Sequence, residues 1–340
     1  MVTAAQQAEH LAELGRLDEA ERRARAGLAD DPQDAALLAA LAHVLLRAQR
    51  PTEGLAAAQA AVTAAPDAER PHRLAGLLLS QLGRHEEAVH AVYRAVTIAP
   101  DEPAAALAYA LVLQRSGRLD DAQRVAWKAV TLDPERAVAH LRLADIASER
   151  RDRDLARRAY TETLRLDPAN ATARHDLAVL DLQVHRSADA VRGLVEAGRM
   201  DPASGLPVLR NLSAVLWRWA WRLRIGLFVM AVIVGGATGA GPTAVRVAAA
   251  LALAVTVAVM GWTARALPDR SGRALVAALR SDVPLALTVA ALALCLVVLA
   301  AVVITGVGPL VVVVWFVLVA VGWFSLIVGL VRRRARAARR

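Results

Sequence analysis

The chain has 340 residues, 56% of them apolar, and its single cysteine, Cys295, excludes an intramolecular disulfide and a cysteine-based zinc site. Its charge divides sharply along the chain, because residues 1–204 carry a net charge of −4 and residues 205–340 carry +13. The basic residues of the second part flank apolar runs, so they indicate membrane orientation rather than nucleic-acid binding.

The chain begins with a polar stretch, Met1–His10, which has neither the basic nor the apolar region of a secretory signal peptide. We therefore expect the N-terminal domain to stay in the cytosol.

The amino-acid composition indicates the kind of organism from which the chain comes. A single lysine, Lys128, stands against 40 arginines, and Ala and Val are abundant, which is typical of the coding bias of a high-GC bacterium.

A proline recurs at a constant interval of 34 residues through the first part of the chain. The six positions are Pro32, Pro66, Pro100, Pro134, Pro168 and Pro202. A constant period of this length is the signature of a repeat array. Each proline is expected to end a helix, because proline cannot continue a helix interior.

Small residues recur in the same phase as the prolines. Counted back from each proline, they stand at Ala20, Gly54, Ala88, Ala122, Ala156 and Ala190, at Ala8, Ala42, Gly76, Ala110, Ala144 and Ala178, and at Gly27, Ala61, Ala95, Ala129, Thr163 and Ala197. This pattern predicts two antiparallel helices per repeat that approach closely at these positions. Gly15, Gly83 and Gly117 stand at the expected turn between the helices, whereas repeats five and six carry Arg151 and His185 there.

Residues 1–204 therefore resemble six tandem tetratricopeptide repeats, at 1–34, 35–68, 69–102, 103–136, 137–170 and 171–204. Residues 83–100 and 117–134 are close to the family pattern. The chain departs from it at the bulky fourth position, where it has Ala4, Leu38, His72, Ala106, His140 and Arg174. The resemblance implies an α-solenoid in which the first helix of each pair lines a concave groove that binds peptides or partner domains.

The resemblance also implies which side chains face that groove. They are His43, Arg47, Arg70, Arg73, Leu74, Leu77, Leu107, Leu111, Arg115 and Arg142. An apolar middle with an arginine rim suits a helix or extended segment that carries hydrophobic anchors and acidic residues. The alternative is that these arginines are solvated and only keep the solenoid soluble.

The last part of the chain predicts a capping or juxtamembrane helix at 205–224 and a transmembrane domain at 225–331. Its four apolar stretches are 225–240, 245–263, 285–305 and 310–331, against the roughly 20 apolar residues that a bilayer core requires. Trp217, Trp219, Trp221, Arg222 and Arg224 are expected at the membrane–water interface. The predicted fold is therefore all-α, a six-hairpin solenoid followed by a bundle of about four transmembrane helices.

Arginine placement predicts the orientation of these spans. Thirteen arginines, including those of the tail at 332–340, fall on one side and Arg246 alone on the other. The positive-inside rule then places both termini and the 264–284 loop in the cytoplasm of a multi-pass protein of the cell membrane. No ionisable residue lies in the middle of a span, which disfavours a pump or a proton-coupled transporter.

The sequence contains no phosphate-binding glycine loop, no nucleophile elbow and no paired-histidine metal motif, so we predict neither an enzyme nor a cofactor or metal site.

The leading hypothesis for the function is a membrane-anchored scaffold or adaptor that binds a cytosolic protein or peptide. A second is a structural subunit of a transport, secretion or envelope-assembly complex. A third, less favoured, is a small pore or transporter with a regulatory solenoid. The expected partners are proteins and the lipid bilayer, not nucleic acid.

Overall fold

The computed structural model describes residues 3–183, 187–200, 208–265, 272–307 and 309–337. Across these ranges the regular structure is entirely helical, which confirms the all-α prediction. The chain divides into two compact units, Met1–Ala169 and Asn170–Arg340. This division falls one repeat earlier than the solenoid boundary predicted from the period.

The first unit consists of five helical hairpins. Their helices are α1 Ala4–Glu13, α2 Leu17–Asp30, α3 Ala35–Arg47, α4 Pro51–Ala64, α5 Glu69–Gln81, α6 His85–Ile98, α7 Pro103–Arg115, α8 Leu119–Leu132, α9 Ala137–Glu149 and α10 Arg153–Leu166. Every second helix of a pair ends two residues before the repeating proline, as that proline predicts.

The helices of each hairpin meet at the small residues. In the first unit every alanine of the three small-residue sets is 0% exposed. Thr163, which replaces alanine in the fifth repeat, is also 0% exposed, and its hydroxyl donates to the Ala159 carbonyl at 2.9 Å. The helix-contact positions predicted from the period are therefore confirmed.

The turn inside each hairpin of the first unit has a residue in the left-handed region. Gly15, Gly83 and Gly117 have φ of 77°, 74° and 78°, and Gln49 and Arg151 adopt 58° and 63° at the same repeat position. His185, the sixth residue of this series, lies outside the described residues. The hairpin geometry thus imposes a glycine-type conformation even where the chain supplies a bulkier residue.

Replacing Gln49 or Arg151 by glycine is expected to stabilise the first unit by about 0.5–1 kcal/mol each, because glycine adopts this conformation without the left-handed penalty. Thermal unfolding followed by circular dichroism measures the change. The reciprocal substitution Gly83→Gln is the matched control and should destabilise by a similar amount, since a Cβ there meets no atom within 4 Å and only the backbone opposes it. An unchanged midpoint for all three variants would contradict the argument.

The second unit contains the sixth hairpin and the apolar helices. Its elements are α11 Ala171–Gln183, α12 Ser187–Met200, α13 Val208–Gly236, a 3-10 turn Ala237–Ala240, α14 Pro242–Arg265, α15 Gly272–Ser281, α16 Val283–Thr305 and α17 Leu310–Ala337. Leu194 of α12, Leu212 of α13 and Ala278 of α15 are all 0% exposed in one apolar cluster. The sixth hairpin therefore shares a core with the helices that follow it. Pro202 lies outside the described residues.

Two elements differ from the sequence prediction. The predicted juxtamembrane helix and first span form one continuous helix, α13, because no glycine or proline interrupts the chain between Val208 and Ile225. The predicted 264–284 loop contains α15, a ten-residue helix. Its apolar residues Ala274, Leu275 and Ala278 recur at helical spacing and pack on the cluster around Leu212.

Three helices of the second unit are long and apolar enough to cross a membrane: Arg210–Ala240, Pro242–Gly261 and Val283–Thr305. For the fourth predicted span, the described apolar portion is the shorter Leu310–Phe324 at the start of α17. Leu227, Leu292, Leu299 and Val314 are buried together between these helices. Cys295 is buried in the same cluster.

Candidate functional site

The predicted groove residues lie on the first helices of successive hairpins. The structure puts His43 and Arg47 on α3, Arg70, Arg73, Leu74 and Leu77 on α5, Leu107, Leu111 and Arg115 on α7, and Arg142 on α9. These first helices contact one another within the first unit. The structure therefore places the helices that carry these residues side by side.

The apolar part of this surface is narrower than predicted. Leu77, Leu107 and Leu111 are half-buried and therefore present part of their surface. Leu74, in contrast, is only 2% exposed, because it packs in the core between α5 and its neighbours. Its prediction as a groove residue is therefore wrong, and Leu74 belongs to the core.

Most of the predicted arginine rim is engaged within the chain. Arg70 forms an ion pair with Glu9, and Arg73 Nε donates to Glu69 Oε1 at 2.5 Å. Arg47 donates to the Ala12 carbonyl at the C-terminal end of α1, where a cation complements the helix dipole. These arginines therefore connect first helices or stabilise their own, and are not simply solvated.

His43 lies among these charges. Burial, together with the nearby guanidinium groups of Arg70 and Arg47, lowers the pKa of His43 below its ordinary value. Within the described part of the chain, its Nδ1 is buried without a hydrogen-bond partner. The neutral ring is therefore favoured, and His43 contributes shape and not charge to this surface near neutral pH.

The other end of the surface holds Arg115 and Arg142. Arg142 Nη1 donates to Gln114 Oε1 at 3.2 Å and lies 3.5 Å from Asp145 Oδ2. Burial lowers the pKa of Arg142, and the neighbouring positive charge of Arg115 acts in the same direction. Arg115 itself is exposed, and within the described ranges it has no ion pair or hydrogen bond from its side chain. It is the groove arginine whose charge is most available to a ligand.

The predicted interface residues on α13 separate into two kinds. Trp217 is half-buried, and its Nε1–H donates to Asp282 Oδ2 at 3.0 Å. Trp219 is half-buried and packs on the cluster around Leu194 and Leu212. These two tryptophans therefore make contacts inside the second unit.

Trp221, Arg222 and Arg224 are placed differently. Trp221 is 49% exposed, and the Arg224 guanidinium carbon lies 3.8 Å from its ring centroid, a cation–π geometry. Arg222 is exposed. Trp221 and Arg222 are thus exposed, and Arg224 is half-buried beside the Trp221 ring. An interfacial role for these residues stays a prediction.

Sequence reasoning missed Asp282. This carboxylate is 8% exposed, caps α16 by accepting from the Leu285 amide at 3.2 Å, and accepts from Trp217. An aspartate before Val283-Pro284 at the start of an apolar run is a helix-start signal that could have identified it. Its partner on α13 is a long-range contact that no local pattern indicates.

The described residues contain no group of three or more His, Cys, Asp or Glu side chains that could hold a metal ion. The half-buried histidines His72 and His140 instead contact the carbonyls of Pro66 and Pro134 through Nε2, at 2.8 Å each.

Comparison with known proteins agrees with this architecture. A sequence model described as "Tetratricopeptide repeat" matches residues 6–69 and 39–103. A search of curated proteins gives no match to the chain.

Among solved structures, a chain of the APC/C hetero-tetramer Cut9–Hcn1 is similar with a TM-score of 0.54 and 18% identity. The match covers 60% of this chain but only 41% of that one. A thermophilic tetratricopeptide protein of Thermus thermophilus has 22% identity and a TM-score of 0.49, with 53% and 97% of the two chains covered. The pilF protein of Pseudomonas aeruginosa has 22% identity and a TM-score of 0.49, with 59% and 91% covered. Residues 6–103 therefore match the tetratricopeptide repeat family in sequence, and the helical hairpins have the all-α solenoid fold.

Proposed function

We propose that the chain is a membrane-anchored scaffold that holds a segment of a cytosolic protein on the first-helix surface of its tetratricopeptide repeats. The observation that carries the proposal is the pairing of partly exposed leucines with an available cation. Leu111 and Arg115 are four residues apart on α7, so they share one face of the helix. The proposed partner segment has hydrophobic anchors and acidic residues. The scaffold needs no cofactor and performs no catalysis.

The groove proposal is tested by the double substitution Leu111→Glu with Arg115→Glu. We expect partner capture to fall at least about tenfold, because an apolar anchor site and a charge contact are lost together. Helicity should be unchanged, because neither side chain is in the core. Arg115 is a sharper test than Arg73, because a glutamate at position 73 would also repel Glu69, its present ion-pair partner.

The measurement is photo-crosslinking from position 107, one turn earlier on α7, in cells, followed by affinity purification and mass spectrometry. Arg158→Glu on α10 is the matched control, since it reverses an exposed arginine on a second helix. Recovery of one soluble chain that the double variant loses and the control keeps supports the scaffold. Recovery of membrane subunits alone, unaffected by the double variant, would instead favour a structural role in a membrane complex.

The anchoring part of the proposal rests on the long apolar helices and on arginine placement. Arg246, the one arginine assigned to the outer side, donates from Nη2 to the Thr305 carbonyl at 3.2 Å, at the C-terminal end of α16. A cation at this position complements the helix dipole. The interfacial role is carried by Trp221, Arg222 and Arg224, with both termini and the 264–284 segment in the cytoplasm.

Cysteine labelling tests this topology. In a Cys295→Ala background, Val307→Cys should react with a membrane-impermeant maleimide applied outside intact cells, and Ser281→Cys should react only after the cells are opened. Both side chains are exposed within the second unit. The reverse pattern, or release of the protein by alkaline extraction of membranes, would refute the proposed anchoring.

A further inference from the structure

The inward face of α14 is only partly covered by its neighbours. Val245, Ala249, Ala252 and Thr256 recur at helical spacing, and each is at most 6% exposed. The same face continues one turn further at Val259 and Met260, yet these residues are 51% and 42% exposed. The helix therefore separates from its neighbours over its last turns.

This separation forms a cavity of about 550 Å³ between α13, α14 and α16. Its walls are almost wholly apolar, from Leu223 and Met230 on α13, Val259 on α14, and Leu292 and Leu296 on α16. The volume lies within the roughly 300–1,000 Å³ of small-molecule sites. An apolar cavity of this size between candidate membrane spans fits one hydrocarbon chain.

Among the lining residues that the structure describes, one is a cation. Arg222 is exposed, and its side chain has no ion pair or hydrogen bond among the residues that the structure describes. Its neighbours Arg218 and Arg224 are engaged, Arg218 with the Leu182 carbonyl at 2.5 Å and Arg224 over Trp221. Trp219, one helical turn before Arg222, lines the same cavity.

We propose that this cavity binds one anionic phospholipid, with an acyl chain between α13, α14 and α16 and the phosphate at Arg222. The inference rests on the proposed membrane insertion, which places Arg222 at the cytoplasmic interface where anionic headgroups are found. The guanidinium can pair with a lipid phosphate through two parallel hydrogen bonds. Charge complementarity favours an anionic over a zwitterionic lipid, because the headgroup of the zwitterionic lipid carries its own cation, which neutralises the phosphate and is repelled by Arg222. The apolar walls exclude a free phosphate or sugar phosphate as the ligand.

The test uses the full-length chain in nanodiscs that contain phosphatidylcholine and phosphatidylglycerol in equal amounts. The chain is extracted into mild detergent, and its retained lipid is measured by native mass spectrometry. Ala293→Phe fills the cavity from α16, and Ala290→Phe is its matched control, since Ala290 is exposed on the same helix outside the cavity. Arg222→Gln removes the cation, and Arg210→Gln is the matched charge control.

We expect wild type to retain one phosphatidylglycerol, with retention reduced about tenfold or more by Arg222→Gln and by Ala293→Phe, because a charge-assisted hydrogen bond or the cavity itself is lost. Both controls should retain it as wild type does. Equal retention of the two lipids, no retention by wild type, or equal loss in a control and its test variant would overturn the proposal. A protein subunit bound at this cavity in place of lipid would also overturn it. Failure of membrane insertion is detected separately by alkaline extraction, so the two failures are distinguishable.

Discussion

Replacing Gly76 by valine is expected to destabilise the first unit by about 3 kcal/mol, at the upper end of the cost of overpacking a core. A Cβ on Gly76 would lie 2.5 Å from Val92 Cγ1 and 3.1 Å from both the Ala88 carbonyl oxygen and the Val92 amide nitrogen. Two of these atoms belong to the backbone of α6, and the valine side chain is stiff at χ1. The helices α5 and α6 would therefore have to move apart. Thermal unfolding monitored at 222 nm measures the effect.

The control for Gly76 comes from the other repeats. Where the third repeat pairs Gly76 with Val92, the second and fourth have alanine at both positions, as Ala42 with Ala58 and Ala110 with Ala126. Gly76→Ala combined with Val92→Ala should cost less than the sum of the two single changes, because the double variant restores the pairing of the neighbouring repeats. If the destabilisation of the double variant equals the sum of the two single changes, the side chains at positions 76 and 92 do not compensate for each other in size.

Replacing Asp282 by alanine is expected to destabilise the second unit by about 2–3 kcal/mol. The change removes the side-chain cap of α16, which contributes about 1 kcal/mol, and withdraws the acceptor of the half-buried Trp217 Nε1–H. The measurement is thermal unfolding of the full-length chain in detergent micelles, followed by tryptophan fluorescence.

Two further variants separate the cap from the tryptophan contact. Asp282→Asn should cost much less than alanine, since asparagine also caps helices and can accept from Trp217. Trp217→Phe removes the donor while keeping an aromatic ring. If the contact is coupled as the structure indicates, Asp282→Ala in the Trp217→Phe background should cost clearly less than in wild type. If Asp282→Ala destabilises wild type and the Trp217→Phe variant equally, the whole effect comes from loss of the helix cap.

Much of the first unit could be predicted from the sequence because its determinants are local and repeat. The prolines predict where each second helix ends, and the small residues predict where the helices of a pair touch. Both follow from short-range sterics within one hairpin, so a single period is enough to determine them. The left-handed turn could be inferred at Gly15, Gly83 and Gly117 but not at Gln49 and Arg151, where closure of the hairpin overrides the preference of the residue.

The tertiary structure alone decided which charged and aromatic side chains remain available. Their sequence positions predicted that Arg70, Arg73 and Trp217 lie on binding surfaces. In the fold, however, these three side chains already pair with Glu9, Glu69 and Asp282, respectively. Burial of Leu74 and exposure of Val259 likewise depend on how far apart neighbouring helices lie. The sequence by itself determined the repeat, the helices and the apolar segments, because these depend on residues close in the chain. Ion pairs, core membership and the cavity beside Arg222 depend on contacts between distant residues, which a periodic pattern does not specify.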